Sequence, residues 1–404
     1  MDSSKKAVRS NQGRPAVRFV SSNAVLSLLG LVILVSCGEP GPEGVVETEV
    51  VDGVLHVYSP SVPMWGPESA PFTLTEVLGS ETSGDTILFS RPLAVSTGRD
   101  GTRYVLDQRS QRIWMFDRSG EESGSIGRNG EGPGEFGSPV DLAILSDGSL
   151  AVLDPSNLRI SFFESDGRFV RAVRIEERLG QLEPAGPDRL FVYRRDRTMS
   201  GRTMVPELDP ANPQILVLDV DGNREAEIAP RHVVTGQMVD VYVNKLFMAP
   251  LPGDSLLLTY QGLARAEVWS PLGELARVMH RTPPFELEPP VFEERPDPSG
   301  GSGMIGYEYD LLSSGLAVHP DGQFWAILVP QGAARVRTPL LGESEIPEFW
   351  SIDLFDADGL WLARQPLDIP CPHALLDWGP EGLYLLNPQE DAIIYRFDFA
   401  PQGV

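Results

Sequence analysis

Two cysteines, Cys37 and Cys371, and five histidines are all that 404 residues supply. A disulfide scaffold is excluded, since secreted folds that rely on cross-links are cysteine-dense. GxSxG, HExxH, CxxC and P-loop motifs are absent, so the sequence signatures of the common hydrolases, metalloproteases, redox proteins and nucleotide enzymes are missing. Basic charge is also scarce: 33 Lys and Arg against 57 Asp and Glu give a formal charge of −24. A surface so acidic repels nucleic-acid phosphates, and no nucleic-acid partner is expected.

The few basic residues are unevenly placed. Residues 1–36 carry Lys5, Lys6, Arg9, Arg14 and Arg18 against Asp2 alone, which leaves −28 on the remainder. A largely apolar run follows, Ala24 to Val35. It is short of the roughly 20 residues that span a bilayer, and it reads as a secretory signal. The run ends in Leu34-Val35-Ser36-Cys37. This resembles the bacterial lipobox, and the resemblance implies lipidation at Cys37, which becomes the mature N-terminus. Gly38 in place of Asp after that cysteine implies an outer-membrane lipoprotein facing the periplasm or the exterior. Several acyl chains on one cysteine hold firmly where a single chain does not. The expected layout is a signal peptide at 1–36, a lipidated tether at 37–71 and one folded domain at 72–400.

Within that domain glycine and proline act as punctuation. The stretch "GRNGEGPGEFGSP" (127–139) holds five glycines and two prolines. A phosphate cradle needs a helix immediately after the glycines. Here Pro139 and a β-run follow, so the stretch is an inter-unit turn. Residues 138–175, "SPVDLAILSDGSLAVLDPSNLRISFFESDGRFVRAVRI", hold four apolar runs parted by turn signals. Asp147-Gly148 and Asp166-Gly167 suit tight hairpins. "DLAIL" and "LAVLD" are nearly continuous in apolar character, as in strands buried on both faces. That is one blade of a β-propeller.

The pattern recurs, making six units between about residues 72 and 399. The sequence predicts an all-β fold, a six-bladed β-propeller of four-stranded antiparallel blades. The last unit, "PHALLDWGPEGLYLLNPQEDAIIYRFDF", stops after three strands. "FTLTEVLGS" (72–80) is the expected fourth, so the ring is closed by an N-terminal strand. The repeats resemble NHL repeats and the bacterial six-bladed propeller lipoproteins related to them. That resemblance implies the fold; propellers host binding modules and enzymes alike.

Long insertions at 196–213, 281–313 and 330–348 fall between strands 2 and 3 of a blade or between blades, and all map to one face. Long loops in compact domains tend to carry function. Arg194, Arg195, Arg197, Arg202, Arg335 and Arg337 gather there, with Tyr307 and Tyr309, as candidate ligand-binding residues. Guanidinium forks suit carboxylates and phosphates, and the rings offer stacking surface to a sugar or peptide. An alternative reading pairs these arginines with Glu286, Glu288, Glu293, Glu294 and Asp297. Asp141 and His373 are candidate pore-lining residues at the starts of inner strands. In propellers similar to this one the channel holds calcium or zinc for lactonase or lyase chemistry. Such a site needs three or four converging ligands, and the equivalent positions include Leu93 and Leu316. No cofactor and no metal are therefore expected. The function expected is a binding or scaffold module for an envelope protein, peptide or glycan, and the alternative is a metal-dependent hydrolase or lyase at the channel. Cys371 reads as a small buried hydrophobe.

Overall fold

A computed structural model describes residues 46–79, 89–177, 179–194, 213–237, 239–283, 285–295, 304–338, 341–345, 347–371, 375–388 and 392–401. Three strands precede the repeats: β1 (Glu47–Val51), β2 (Val54–Tyr58) and β3 (Phe72–Leu78). The first sheet is β4 (Pro92–Thr97), β5 (Arg103–Asp107), β6 (Arg112–Phe116) and β7 (Glu122–Ile126). The second is β8 (Asp141–Ile144), β9 (Leu150–Asp154), β10 (Arg159–Phe163) and β11 (Phe169–Arg174). The third is β12 (Leu179–Pro184), β13 (Arg189–Arg194), β14 (Pro213–Asp219) and β15 (Arg224–Pro230). A short helix, α1 (Val239–Val243), leads into the fourth: β16 (Leu246–Leu251), β17 (Ser255–Tyr260), β18 (Arg265–Trp269) and β19 (Leu275–His280). β20 (Val291–Arg295), β21 (Met304–Asp310) and β24 (Arg335–Arg337) form a separate three-stranded sheet. The fifth four-stranded sheet is β22 (Gly315–Val318), β23 (Phe324–Pro330), β25 (Trp350–Asp356) and β26 (Trp361–Pro366). The sixth is β27 (Leu375–Gly379), β28 (Gly382–Leu386) and β29 (Ile394–Phe399), with β3 as its fourth strand.

Every one of these six sets is antiparallel throughout, and each is entered through its first strand. The first strands neighbour one another in a cycle, β4 beside β8, then β12, β16, β22, β27 and again β4. The second strands, such as β5 and β9, are buried along their whole length. Both their faces meet a neighbouring sheet, which is why they are apolar without alternation. Fourth strands such as β11 alternate between half-buried and exposed residues, because one face is solvated.

A repeated clasp holds the entries of the first two sheets. The Asp154 carboxylate ends β9 and accepts the amides of Gly137 and Ser138 at 2.7 and 3.0 Å. Asp107 does the same for Ser90 and Arg91 at 3.0 and 2.7 Å. The glycine stretch 127–139 is therefore an ordered turn. Arg159 donates to the carbonyls of Glu131, Gly132 and Glu135 within it. Gly127 has φ +83°, and a Cβ there would stand 2.2 Å from the Phe136 ring.

Two features depart from the sequence reading. Residues 46–58, within the stretch expected to be a tether, form the β1–β2 hairpin, and β2 pairs in parallel with β19. The fourth sheet thus has six strands. The long insertions at 281–313 and 330–348 contribute the β20–β21–β24 sheet instead of irregular loops. No helix among the described residues is long and apolar enough to cross a membrane.

Candidate functional site in the central channel

The six first strands enclose a channel of about 1440 Å³. Its two mouths differ. One is rimmed by tight turns, among them Asp147-Gly148 and Gly253-Asp254; the other by Arg91, Gln108, Lys245, Gln261 and Ser314, at the ends where chains enter the sheets. The β20–β21–β24 sheet stands beside this second mouth. Gln261 accepts the amide of Leu312 on its carbonyl at 2.8 Å and the Tyr309 hydroxyl on its side chain at 3.1 Å.

Three carboxyl groups line the wall: Asp141 on β8, Glu183 on β12 and Asp377 on β27. Asp141 is buried; Glu183 and Asp377 are half-buried, enclosed by protein except on the lumen side. The Asp141 carboxylate accepts the amide of Leu142 at 3.0 Å and that of Leu182, on the next sheet, at 2.8 Å. The inner edge of β12 has no strand to pair with, and Asp141 satisfies one of its donors. Asp377 accepts the amide of Trp378 at 2.7 Å.

Burial pushes the Asp141 carboxyl up to about 7, against its two backbone hydrogen bonds and with help from the charge of Asp377. Burial likewise raises Asp377 to about 7, in spite of the Trp378 amide. Glu183 is raised well above the usual carboxylate range by burial first, then by Asp141 and Asp377. Near neutral pH this wall holds protons and can donate as well as accept hydrogen bonds. Among the described residues no three His, Cys, Asp or Glu side chains converge as metal ligands.

The residues singled out in the sequence, for ligand binding, pore lining or lipidation, are placed as follows. Asp141 lines the channel. His373, Cys37, Arg195, Arg197 and Arg202 lie outside the described residues. Arg194 is committed to Glu177 at 3.0 Å and Glu227 at 2.8 Å. Arg335 is buried and pairs with Glu288, with Glu308 at 2.8 Å and with Asp310 at 3.5 Å. Arg337 pairs with Glu308 at 2.7 Å and Glu345 at 2.6 Å. These three guanidiniums serve internal ion pairs, with Glu288 among the partners that the pairing reading named for them. Tyr309 is 3% exposed and Tyr307 is stacked on Tyr242 with centroids 3.7 Å apart. Tyr309 therefore pins the satellite sheet to Gln261 and offers no open ring face. Cys371 is fully buried.

Glu183 and Asp377 were not singled out in the sequence. Their signal was an acid inside a first strand, "LGQLEP" and "LLDWG", opposite buried Phe191 and Tyr384.

Residues 77–230 match a family model described as a 6-bladed beta-propeller, DUF5128. No curated protein matches the chain. Among solved structures, an exported-protein candidate from Bacteroides fragilis is similar at 11% identity and TM-score 0.54, over 84% of this chain and 98% of that one. A DUF4221 family member from Bacteroides vulgatus aligns at 11% identity and TM-score 0.49, over 81% and 97%. Virginiamycin B lyase from Staphylococcus aureus aligns at 11% identity and TM-score 0.44, over 81% and 100%. At these identities the likeness is one of fold. The chain is an all-β protein with the four-stranded sheets of a β-propeller.

Proposed function

We propose that this is an exported propeller of six blades, sealed by β3 and anchored through lipid on Cys37 in the outer membrane, that acts as a binding module. Its ligand is a peptide or glycan of an envelope partner, taken up at the channel mouth beside the β20–β21–β24 sheet. One observation carries the reading: a channel of about 1440 Å³ whose wall presents Asp141, Glu183 and Asp377 to the lumen. A channel of that size accommodates an extended chain or several sugar rings. Carboxyl groups that keep a proton near neutrality can donate to carbonyls and hydroxyls and accept from amides. The pairing of β3 with β29 supports the sealed ring, and the run ending at Cys37 supports export.

The test is capture from envelope extracts, followed by arrays of cell-wall peptides and glycans. Wild-type protein should retain a defined partner or ligand class, and Glu183→Leu with Asp377→Leu should lose it while melting cooperatively. Equal capture by the wild type and the double variant would place binding elsewhere.

A further inference from the structure

The β1–β2 hairpin stands between Cys37 and the six sheets, and its attachment to them is slender. β2 meets the fourth sheet through four parallel pairs, from Leu55 opposite Arg277 to Tyr58 opposite His280. Val57 is 5% exposed in a cluster built by the fourth and fifth sheets, with Leu55 packed against it. Ser59 closes the end: its amide donates to the His280 carbonyl and its hydroxyl to the Gly359 carbonyl, both at 3.0 Å. β1 adds no pairing to the body. Among the described residues it pairs with β2 alone, and all five of its residues are exposed.

The other face of β2 carries His56 and Tyr58, and there two imidazoles meet. Nδ1 of His56 lies within hydrogen-bond distance of Nε2 of His280, on which the Tyr58 ring is stacked. One proton between the rings joins them; one on each nitrogen sets two cations against each other. The surrounding charges do little to offset that repulsion. Arg265 of β18 stands opposite His280 in register and adds a positive charge. Glu267 of β18 is already taken up by Arg265 and His232. Glu49 of β1 holds the Tyr58 hydroxyl at 2.5 Å. On the fifth sheet, Asp358 faces Arg277 at 3.2 Å.

A lone two-stranded hairpin is marginal in water, so loss of this contact frees the chain as far as Met64, whose amide the Trp361 carbonyl holds at 3.1 Å. Docked, the ten positions from Cys37 to Glu47 reach at most about 35 Å; freed, the 27 positions from Cys37 to Met64 reach about 95 Å. We propose that the hairpin is a pH-operated strap, docked near neutrality and released in acid, that sets how far the folded domain stands from its anchor. The change of reach rests on the anchoring proposed above; the release does not.

Single-molecule pulling reads the strap directly. The full chain, made without export so that the Cys37 thiol is free, is held between a handle on Cys37 and one on Val404; Cys371 is fully buried and takes none. A separate lengthening of about 60 Å, the contour of residues 47–64, should precede global unfolding. Between pH 7.5 and pH 5 the docked-to-released ratio at fixed force should fall several-fold, and by no more than about 30-fold for one histidine. His280→Gln should lengthen by the same amount with one ratio at both pH values. No early lengthening, or a wild-type ratio equal at the two pH values, would overturn the proposal, and both are read on the wild type even if the variant does not fold. Absence of fatty-acid label on Cys37 would remove the anchor and leave this readout intact, which tells the two failures apart.

Discussion

Nδ1 of His56 lies 2.9 Å from Nε2 of His280, where the N-terminal hairpin meets the outer strand of the fourth sheet. The Tyr58 ring stacks on His280 at 4.4 Å between centroids. A hydrogen bond between two imidazoles needs one neutral acceptor nitrogen. Burial, then the charges of Arg265 and His56, lower the His280 pKa below its ordinary value of 6.5; Glu49 from the hairpin and Glu267 from β18 oppose them.

The sign follows from linkage. The attached state binds fewer protons at His280 than the detached one, so attachment is present in full above about pH 6.5 and weakens as pH falls through and below it. Protection factors at residues 47–58, with the intrinsic slowing of exchange divided out, should fall between pH 7.5 and pH 5. His280→Gln should flatten that dependence. Unchanged protection of β2 at pH 5 would sink the idea.

The channel carboxyls give the opposite slope. Asp377 titrates near 7 in the folded protein against 3.8 ordinarily. The folded state therefore binds more protons than the unfolded one, and the contribution falls as pH rises from about 4 to 7. Asp377→Asn removes the ionisation while keeping an acceptor for the Trp378 amide. The variant should gain on wild type by about 1–2 kcal/mol, a few degrees in Tm, between pH 5 and pH 8. Melts at those two pH values decide it, and a gap that does not widen counts against a proton-holding wall.

Glu267 is the counter-example of a buried carboxylate kept ionised. Burial pushes it up, but the hydrogen bond and charge of His232, then Arg265 and Tyr260, outweigh that and bring it down to about 2. It is fully buried and accepts from the Tyr260 hydroxyl at 2.7 Å and the Trp269 indole at 2.8 Å, with Arg265 at 2.5 Å. Glu267→Ala leaves all of these without a partner and should cost about 3–5 kcal/mol. Urea unfolding of the variant measures it; a loss below about 1 kcal/mol would contradict the network.

Much of this fold was legible because its signals are local. Asp147-Gly148 and Asp166-Gly167 announce hairpins, and "LAVLD" announces a strand covered on both faces. The clasp of Asp154 on Gly137 and Ser138 spans only 17 residues. The parallel annexation of β2 by β19 was not legible, since Leu55 and Arg277 pair across more than 200 residues with no turn to mark it. The channel wall was half legible. Asp141 stood out at a strand start, whereas Glu183 and Asp377 lie inside strands and meet only through the closure of the sheets. The arginines were half legible: the reading that pairs them with carboxylates named Glu288, a partner of Arg335, but not Glu308, which Arg335 and Arg337 share across the β21–β24 pairing.

The last prediction concerns β3, the strand that joins the two ends of the domain. Its residues pair antiparallel with β29 from Leu78 opposite Ile394 to Phe72 opposite Phe399. Phe72 is 3% exposed and packs on Trp378 and Phe399. Its amide and carbonyl are held by the Gln365 side chain of the fifth sheet at 2.8 and 2.7 Å. Further along, Glu76 pairs at 3.0 Å with Arg103, a buried residue of the first sheet. One strand thus completes the sixth sheet and ties it to both neighbours. Removing residues 72–78 would open a full strand edge, uncover Phe399 and Trp378, and leave Arg103 with only its 3.8 Å contact to Glu381. An exposed apolar edge invites aggregation as well as unfolding. Removing residues 47–58 instead strips a hairpin whose first strand is wholly exposed. The first deletion should lower Tm by about 10 °C or more with loss of cooperativity, and the second by a few degrees. Equal melting temperatures for the β3 deletion and the intact chain would show that the sheets stand without this strand, and that the ring is held by the first strands alone.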